Sequence, residues 1–261
     1  MNLDLEGKVA LVIASSQGLG KAVATELVKE GAHVMLASRN KIKLELTSLE
    51  LQAMGPGKAA YHVTDITKPE EIKELINATL STYGKIDILI NNAGGPPAGK
   101  FEDFTDEDFQ NAFELDLLSY VRLIREALPH LKKNGGRIVN FTSSSVKTPI
   151  PNLILSNTFR TGVAGLSKTL AEEFAPYGIL VNVVAPGLIA TERIKYLNQM
   201  NADKEGRDVL DIEADALKKI PLGRYGTPEE FARAVTWLVS GANTYITGST
   251  LFLDGGMVKS L

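Results

Sequence analysis

The chain has 261 residues, 44% hydrophobic and 23% charged, a balance that excludes a disordered or fibrous protein. A formal net charge of −3 argues against a dedicated nucleic-acid binder, and the lack of cysteine removes disulfides, thiolate catalysis and Cys-based metal sites together. His33, His62 and His130 are scattered without metal-site spacing, and no apolar run approaches the ~20 residues of a membrane span, so the expectation is a cytoplasmic protein with no metal and no membrane partner.

Short apolar runs alternate with longer amphipathic stretches. The first run, Val9–Ala14, is β-branched and apolar at consecutive positions, as a strand buried on both faces requires. It passes through Ser15-Ser16-Gln17-Gly18-Leu19-Gly20 into a helical pattern over Leu19–Glu30. Such a turn cradles phosphate, because free amide N–H groups and the helix dipole face the anion. Gly18 lets the backbone approach a pyrophosphate, and Gly20 lets helix and strand pack closely. Two glycines alone fit an ordinary strand-to-helix turn equally well.

The second run, His33–Ala37, ends in Ser38-Arg39-Asn40, where a dinucleotide fold reads the adenosine ribose. An acid there would accept the ribose hydroxyls, whereas a guanidinium matches a 2′-phosphate. The chemistry therefore favours NADP(H) over NAD(H), with a solvated charge at a helix start as the alternative for Arg39. Past the helical pattern Ile42–Met54 and the third run, Lys58–Val63, come Asp65 and Ile66. Asp65 is placed to accept from an adenine amino group or to cap the next helix, Glu70–Tyr83.

The fourth run, Ile86–Ile90, leads into Asn91-Asn92-Ala93-Gly94-Gly95-Pro96-Pro97-Ala98-Gly99, too rich in Gly and Pro to be regular. One long helix is predicted over Asp106–Leu131, then strand Arg137–Thr142, helix Thr161–Phe174, strand Leu180–Val184, helix Pro228–Val239 and strand Ser249–Leu253. Strands separated by helices form right-handed βαβ units, which predicts an α/β, three-layer, doubly wound parallel sheet of the Rossmann type with helices on both faces. No linker divides the chain, so residues 1–261 are expected to form a single dinucleotide-binding domain. The charged stretch after the sixth strand, about 188–226, is expected to be a lid or substrate loop.

Together these segments resemble the short-chain dehydrogenase/reductase family over essentially the whole chain, most of all its 3-oxoacyl-(acyl carrier protein) reductase-like branch. Ile13 to Gly20 resembles the family's Thr-Gly-x-x-x-Gly-x-Gly turn, with Ala14 at the first glycine. Asn91-Asn92-Ala93-Gly94 matches the family's Asn-Asn-Ala-Gly, and Asn182 to Thr191 matches the segment that holds the nicotinamide carboxamide. Pro221-Leu222-Gly223-Arg224 and Asp254-Gly255-Gly256 complete the pattern. The resemblance implies about seven strands, a nicotinamide cofactor across the carboxyl edge of the sheet, a small carbonyl or alcohol substrate and a homotetramer or homodimer. Joined to the reading of the residues, it gives expected cofactor contacts at Ala14, Ser15, Ser16, Gly18, Leu19, Gly20, Ser38, Arg39, Asp65, Ile66, Asn92, Ala93, Gly94, Arg160, Pro186, Gly187, Ile189 and Thr191.

In that family a Tyr exchanges the proton of the substrate oxygen, and a Lys four residues later lowers the Tyr pKa and holds the nicotinamide ribose. A Ser orients the carbonyl, and an Asn carries a relay water. The chain matches only the Ser, at Ser143; Ser156 stands at the Tyr position, Arg160 at the Lys position and Asp116 at the Asn position. No tyrosine lies between Tyr120 and Tyr177, so no shift of register restores one. A Ser hydroxyl is far less acidic than a phenol, and Arg160 stays protonated and cannot relay a proton. Asp116 is expected to pair with Arg160 or Lys147 if they lie near it. Two readings follow. One is a divergent oxidoreductase with the catalytic set Ser143, Ser156, Arg160 and Asp116, its proton supplied by Arg193, Tyr196 or the substrate. The other is a dinucleotide-binding protein that catalyses nothing and serves as a sensor or assembly partner.

Overall fold

The computed structural model describes residues 2–260. Among these, the sheet strands are β1 (Val9–Ile13), β2 (His33–Ser38), β3 (Ala59–Val63), β4 (Ile88–Asn91), β5 (Gly136–Phe141), β6 (Ile179–Pro186) and β7 (Thr250–Leu253). The helices are α1 (Gly18–Lys29), α2 (Lys41–Gln52), α3 (Pro69–Tyr83), α4 (Asp106–Phe113), α5 (Ser119–Leu131), α6 (Ile154–Phe174), α7 (Glu192–Glu205), α8 (Val209–Lys218) and α9 (Pro228–Val239). All strands pair in parallel, in the order β3-β2-β1-β4-β5-β6-β7. The order reverses between β1 and β4, so the loops leaving these strands diverge and open a crevice at the carboxyl edge.

The apolar runs become strands because both faces of the sheet are covered; every residue of β1 and of β4 is buried. On one face Leu27 of α1, Leu44 of α2 and Phe231 of α9 pack over Val12 and Leu36. On the other, Leu75 of α3, Leu123 of α5 and Val163 of α6 pack over Leu11 and Ile138. A buried polar chain fixes β4, β5 and α6 at the depth of the crevice. Asn91 Nδ2 donates to Asn140 Oδ1 at 2.8 Å, Asn140 Nδ2 to Ser167 Oγ at 2.8 Å, and Ser167 Oγ to Val163 O at 2.7 Å.

Two elements differ from the sequence expectation where the site is built. The single helix predicted over Asp106–Leu131 is α4 and α5 joined by a π-turn, Glu114–Leu118. The widened turn accommodates an extra residue and delivers Asp116 into the interior, where it is fully buried. The helix expected from Thr161 begins earlier, at Ile154, so that Ser156 and Arg160 lie in its first turns.

Candidate active site

The crevice is a cleft of about 1140 Å³ that runs from the β1 turn to the helices α7 and α8. At its first end, Ala14 holds a left-handed backbone with φ 51°, a conformation that costs an alanine roughly 1–2 kcal/mol more than a glycine. Gly18 also has a left-handed φ, of 59°, and nothing stands within 4 Å of where its Cβ would project. Gly20 packs so closely that a Cβ would collide with the Ala14 carbonyl, which is the close approach of helix and strand expected of it. Ser15 differs from its expected role. Its side chain is fully buried, donating to Val12 O at 2.8 Å and accepting from the Ala37 amide at 3.0 Å, so it ties β1 to β2 and does not reach the cleft.

Ser16 and Ser38 join through their hydroxyls at 2.9 Å and line the wall beside Leu19. Arg39 is exposed on the same wall, and among the described residues no carboxylate forms an ion pair with it. Asp65 and Ile66 complete this end. Burial alone would raise the Asp65 carboxyl, but the Thr67 amide and hydroxyl, with Arg39 and Lys68 nearby, hold it below its ordinary value.

Bare backbone forms the middle of the cleft. Gly94 has open space where a side chain would stand, and Asn92 and Ala93 flank it. Across from them Pro186, Gly187, Ile189 and Thr191 leave β6. A Cβ on Gly187 would come within 2.6 Å of Asp254 Cβ, so only glycine lets this exit pass the end of β7. The Ala190 amide donates to Gly226 O at 2.9 Å and the Gly226 amide to Leu188 O at 3.0 Å, closing the base of the segment that carries α7 and α8.

At the far end Ser143 and Ser156 line the cleft, Ser156 at only 8% exposure. The Ser143 hydroxyl also accepts from the Ser145 amide at 3.2 Å. Arg160 touches the cleft but faces inward for most of its length, donating to Phe141 O at 3.1 Å and Ala93 O at 3.3 Å, with Tyr120 Oη at 3.4 Å. Its Nη2 lies 2.9 Å from Asp116 Oδ1, although neither Asp116 oxygen meets hydrogen-bond geometry. Burial pushes the Asp116 carboxyl up, against the pull of Arg160 and Arg193. Of the two partners expected for Asp116, Arg160 is therefore the one it meets, while Lys147 is exposed. Asp116 is fully buried and reaches the cleft only through Arg160, so it cannot touch a reactant as the expected catalytic group would.

Tyr120 does not fill the place of the missing phenol. It is fully buried, its hydroxyl donates to Phe141 O at 3.0 Å, and burial pushes it up to about 12. Among the described residues Tyr196 of α7 is the tyrosine on the cleft wall. Other wall residues escaped the sequence reading. Met257 and Val258 return to the cleft because the Val258 amide donates to Asp254 Oδ2 at 2.7 Å, a turn foreshadowed by Asp254-Gly255-Gly256. Asn152 lines it from a left-handed position, φ 61°. No cluster of metal-binding side chains occurs among the described residues.

The bare turn at Gly18, the open wall at Gly94 and the free cation at Arg39 fit a phosphate-bearing dinucleotide. The chain is similar to known proteins along nearly its whole length. A family described as Enoyl-(Acyl carrier protein) reductase matches residues 13–258. The chain is 36% identical to Glucose 1-dehydrogenase 2 of Bacillus subtilis, covering 98% of this chain and 97% of that one. It is 33% identical to a 3-oxoacyl-(acyl-carrier-protein) reductase of Thermotoga maritima, covering 97% and 99%. The fold superposes on L-sorbose reductase from Gluconobacter frateurii, solved with NADPH and L-sorbose, with a TM-score of 0.95, 32% identity and 100% of both chains.

Proposed function

The chain belongs to the short-chain dehydrogenase/reductase family of NAD(P)-dependent oxidoreductases, and from that premise we propose that it moves hydride between NADP(H) and a small carbonyl or alcohol substrate with a non-standard catalytic set. One observation carries the reading: a single continuous cleft joins the phosphate turn and Arg39 to the hydroxyls of Ser143 and Ser156. When bound, the nicotinamide supplies the hydride chemistry.

The protein's own residues bind and orient. Ser16, Gly18, Leu19 and the α1 N-terminus take the pyrophosphate, Ser38 and Arg39 the 2′-phosphate, and Asp65 with Ile66 the adenine. Asn92, Ala93 and Gly94 on one wall and Pro186, Gly187, Ile189 and Thr191 on the other take the nicotinamide half. Ser143 and Ser156 donate hydrogen bonds to the substrate oxygen. Arg160 adds a fixed positive potential beside it, and Asp116 positions Arg160. Tyr196 holds the proton that the substrate oxygen takes or gives. The whole chain is taken as one dinucleotide-binding domain in the cytoplasm, with 188–226 as its lid, working as a homotetramer or homodimer. Among the described residues no helix is long and apolar enough to cross a membrane.

The test is a titration with NADPH and NADH followed by calorimetry. NADPH is expected to bind about tenfold or more tightly than NADH, the worth of one charge-assisted contact. Binding of neither form would overturn the reading. The second reading, a dinucleotide-binding protein without turnover, draws on the immobilised Arg160 and the buried Tyr120. Tight NADPH binding with no oxidation of the cofactor across a panel of carbonyl compounds would select it.

A further inference from the structure

Arg193 lies in the first turn of α7 and reaches back over the cleft to the loop after β4. Its Nη2 donates to Pro96 O at 2.8 Å, and a Cβ on Gly95 would come within 2.9 Å of the same nitrogen, so the guanidinium rests on bare backbone. The Tyr196 ring centroid lies 5.6 Å from its Cζ. Among the described residues no carboxylate pairs with it, whereas neighbouring cations are matched: Arg160 by Asp116, Lys195 by Glu192, and Arg207 by Glu205 and Asp215. Lys204 and Lys219 also line the cleft and form no ion pair among the described residues, in a chain whose net charge is −3.

Arg193 rests on Gly95 and Pro96, in the loop whose Ala93 carbonyl accepts from Arg160 at 3.3 Å. Arg160 in turn meets Asp116 and lines the cleft with Ser143 and Ser156, which sets Arg193 toward that end. Burial lowers the Arg193 guanidinium, with Arg160 adding to the effect, but an arginine stays protonated at neutral pH. A half-buried guanidinium without a carboxylate is costly to leave alone, and its planar fork matches a carboxylate or phosphate in two parallel hydrogen bonds.

We infer that Arg193 reads an anionic group on the substrate, so that the carbonyl or alcohol compound carries a carboxylate or a phosphate. The inference rests on the oxidoreductase reading above for the word substrate, but the anion site stands on its own geometry. Arg39 serves the cofactor phosphate at the opposite end, which leaves Arg193 for the reactant. Gly95 and Tyr196 line the cleft on either side of the guanidinium.

The test compares acetoacetate, its methyl ester and inorganic phosphate by ligand-observed NMR titration, each with free protein and with protein mixed with excess NADPH. In the wild type the acid is expected to bind about tenfold or more tightly than the ester. Arg193→Gln should bring the two within about twofold, Arg193→Lys should keep part of the preference, and both variants should bind NADPH as the wild type does. Displacement of acetoacetate by phosphate, lost in Arg193→Gln, would point to a phosphate-bearing substrate; its absence would point to a carboxylate. Equal binding of acid and ester by the wild type, or a preference that survives Arg193→Gln, would overturn the inference and leave Arg193 as a tie between α7 and Pro96. An acid preference in free protein that binds no NADPH would sustain the anion site while overturning the oxidoreductase reading.

Discussion

Arg160 Nη2 stands 2.9 Å from Asp116 Oδ1 where the two side chains are 6% and 0% exposed, so a charge pair has been enclosed at the positions that the resemblance gives to a lysine and an asparagine. Removing one partner strands the other. Arg160→Met and Asp116→Leu are each expected to lower unfolding free energy by about 3–5 kcal/mol, and the double variant by much less than the sum, because two apolar side chains leave no unpaired charge. Urea unfolding of the four proteins of this cycle measures the coupling. Additive losses would mean that the pair is no pair in solution.

The same contact limits any attempt to restore the family's chemistry. Ser156→Tyr with Arg160→Lys brings back the phenol and amine, but the new lysine would be drawn to the buried Asp116. The double variant is therefore expected to stay close to wild-type activity on a generic ketone, while adding Asp116→Asn should raise the rate by about 10²-fold or more. Steady-state NADPH oxidation decides it. Full activity in the double variant would show that Asp116 does not compete.

Among the described residues Arg39 forms no ion pair and only helps to hold the Asp65 carboxyl down, so its replacement chiefly tests its contact with the cofactor. Arg39→Ala should weaken NADPH by about 10- to 100-fold and leave NADH within about twofold, at unchanged thermal stability. Equal weakening of both cofactors would remove Arg39 as the reader of the 2′-phosphate.

Burial pushes Tyr83 and Tyr120 each up to about 12, from an ordinary value of 10. The unfolded chain therefore gives up these protons first. The stability that the two phenols contribute is fully present below pH 10 and is lost as pH rises toward 12. In an ultraviolet titration two of the seven tyrosines should ionise late, together with alkaline unfolding. Tyr120→Phe should remove one late group and move the alkaline midpoint upward, while its lost bond to Phe141 O lowers neutral-pH stability by about 1 kcal/mol. Seven tyrosines titrating together would contradict this.

The strands were legible because burial on both faces writes unbroken apolar runs such as Val9–Ile13, and a local pattern suffices to see them. Gly20 was legible for a similar reason: its close approach to Ala14 is set within one turn. The π-turn at Glu114–Leu118 was not, since one extra residue in a helix barely disturbs a periodicity read over four turns. The fate of Ser15 was hidden as well. Its hydroxyl serves the Val12 carbonyl and the Ala37 amide, and the second of these comes from another strand. Arg160 and Asp116 were individually visible as departures from the family pattern, but their contact exists only because α6 starts early and the π-turn rotates Asp116 inward.

The Gly99 amide donates to Asn152 O at 2.7 Å, and Gly99 and Leu153 form an isolated parallel bridge, while a Cβ on Gly99 would strike the Phe104 ring at 2.8 Å. Main chain thus stitches together the loops after β4 and β5, one on each side of the opening. Elsewhere along the same loop α7 is held by a side chain, through the Arg193 contact with Pro96, so backbone secures the loop at Gly99 and a guanidinium secures it at Pro96.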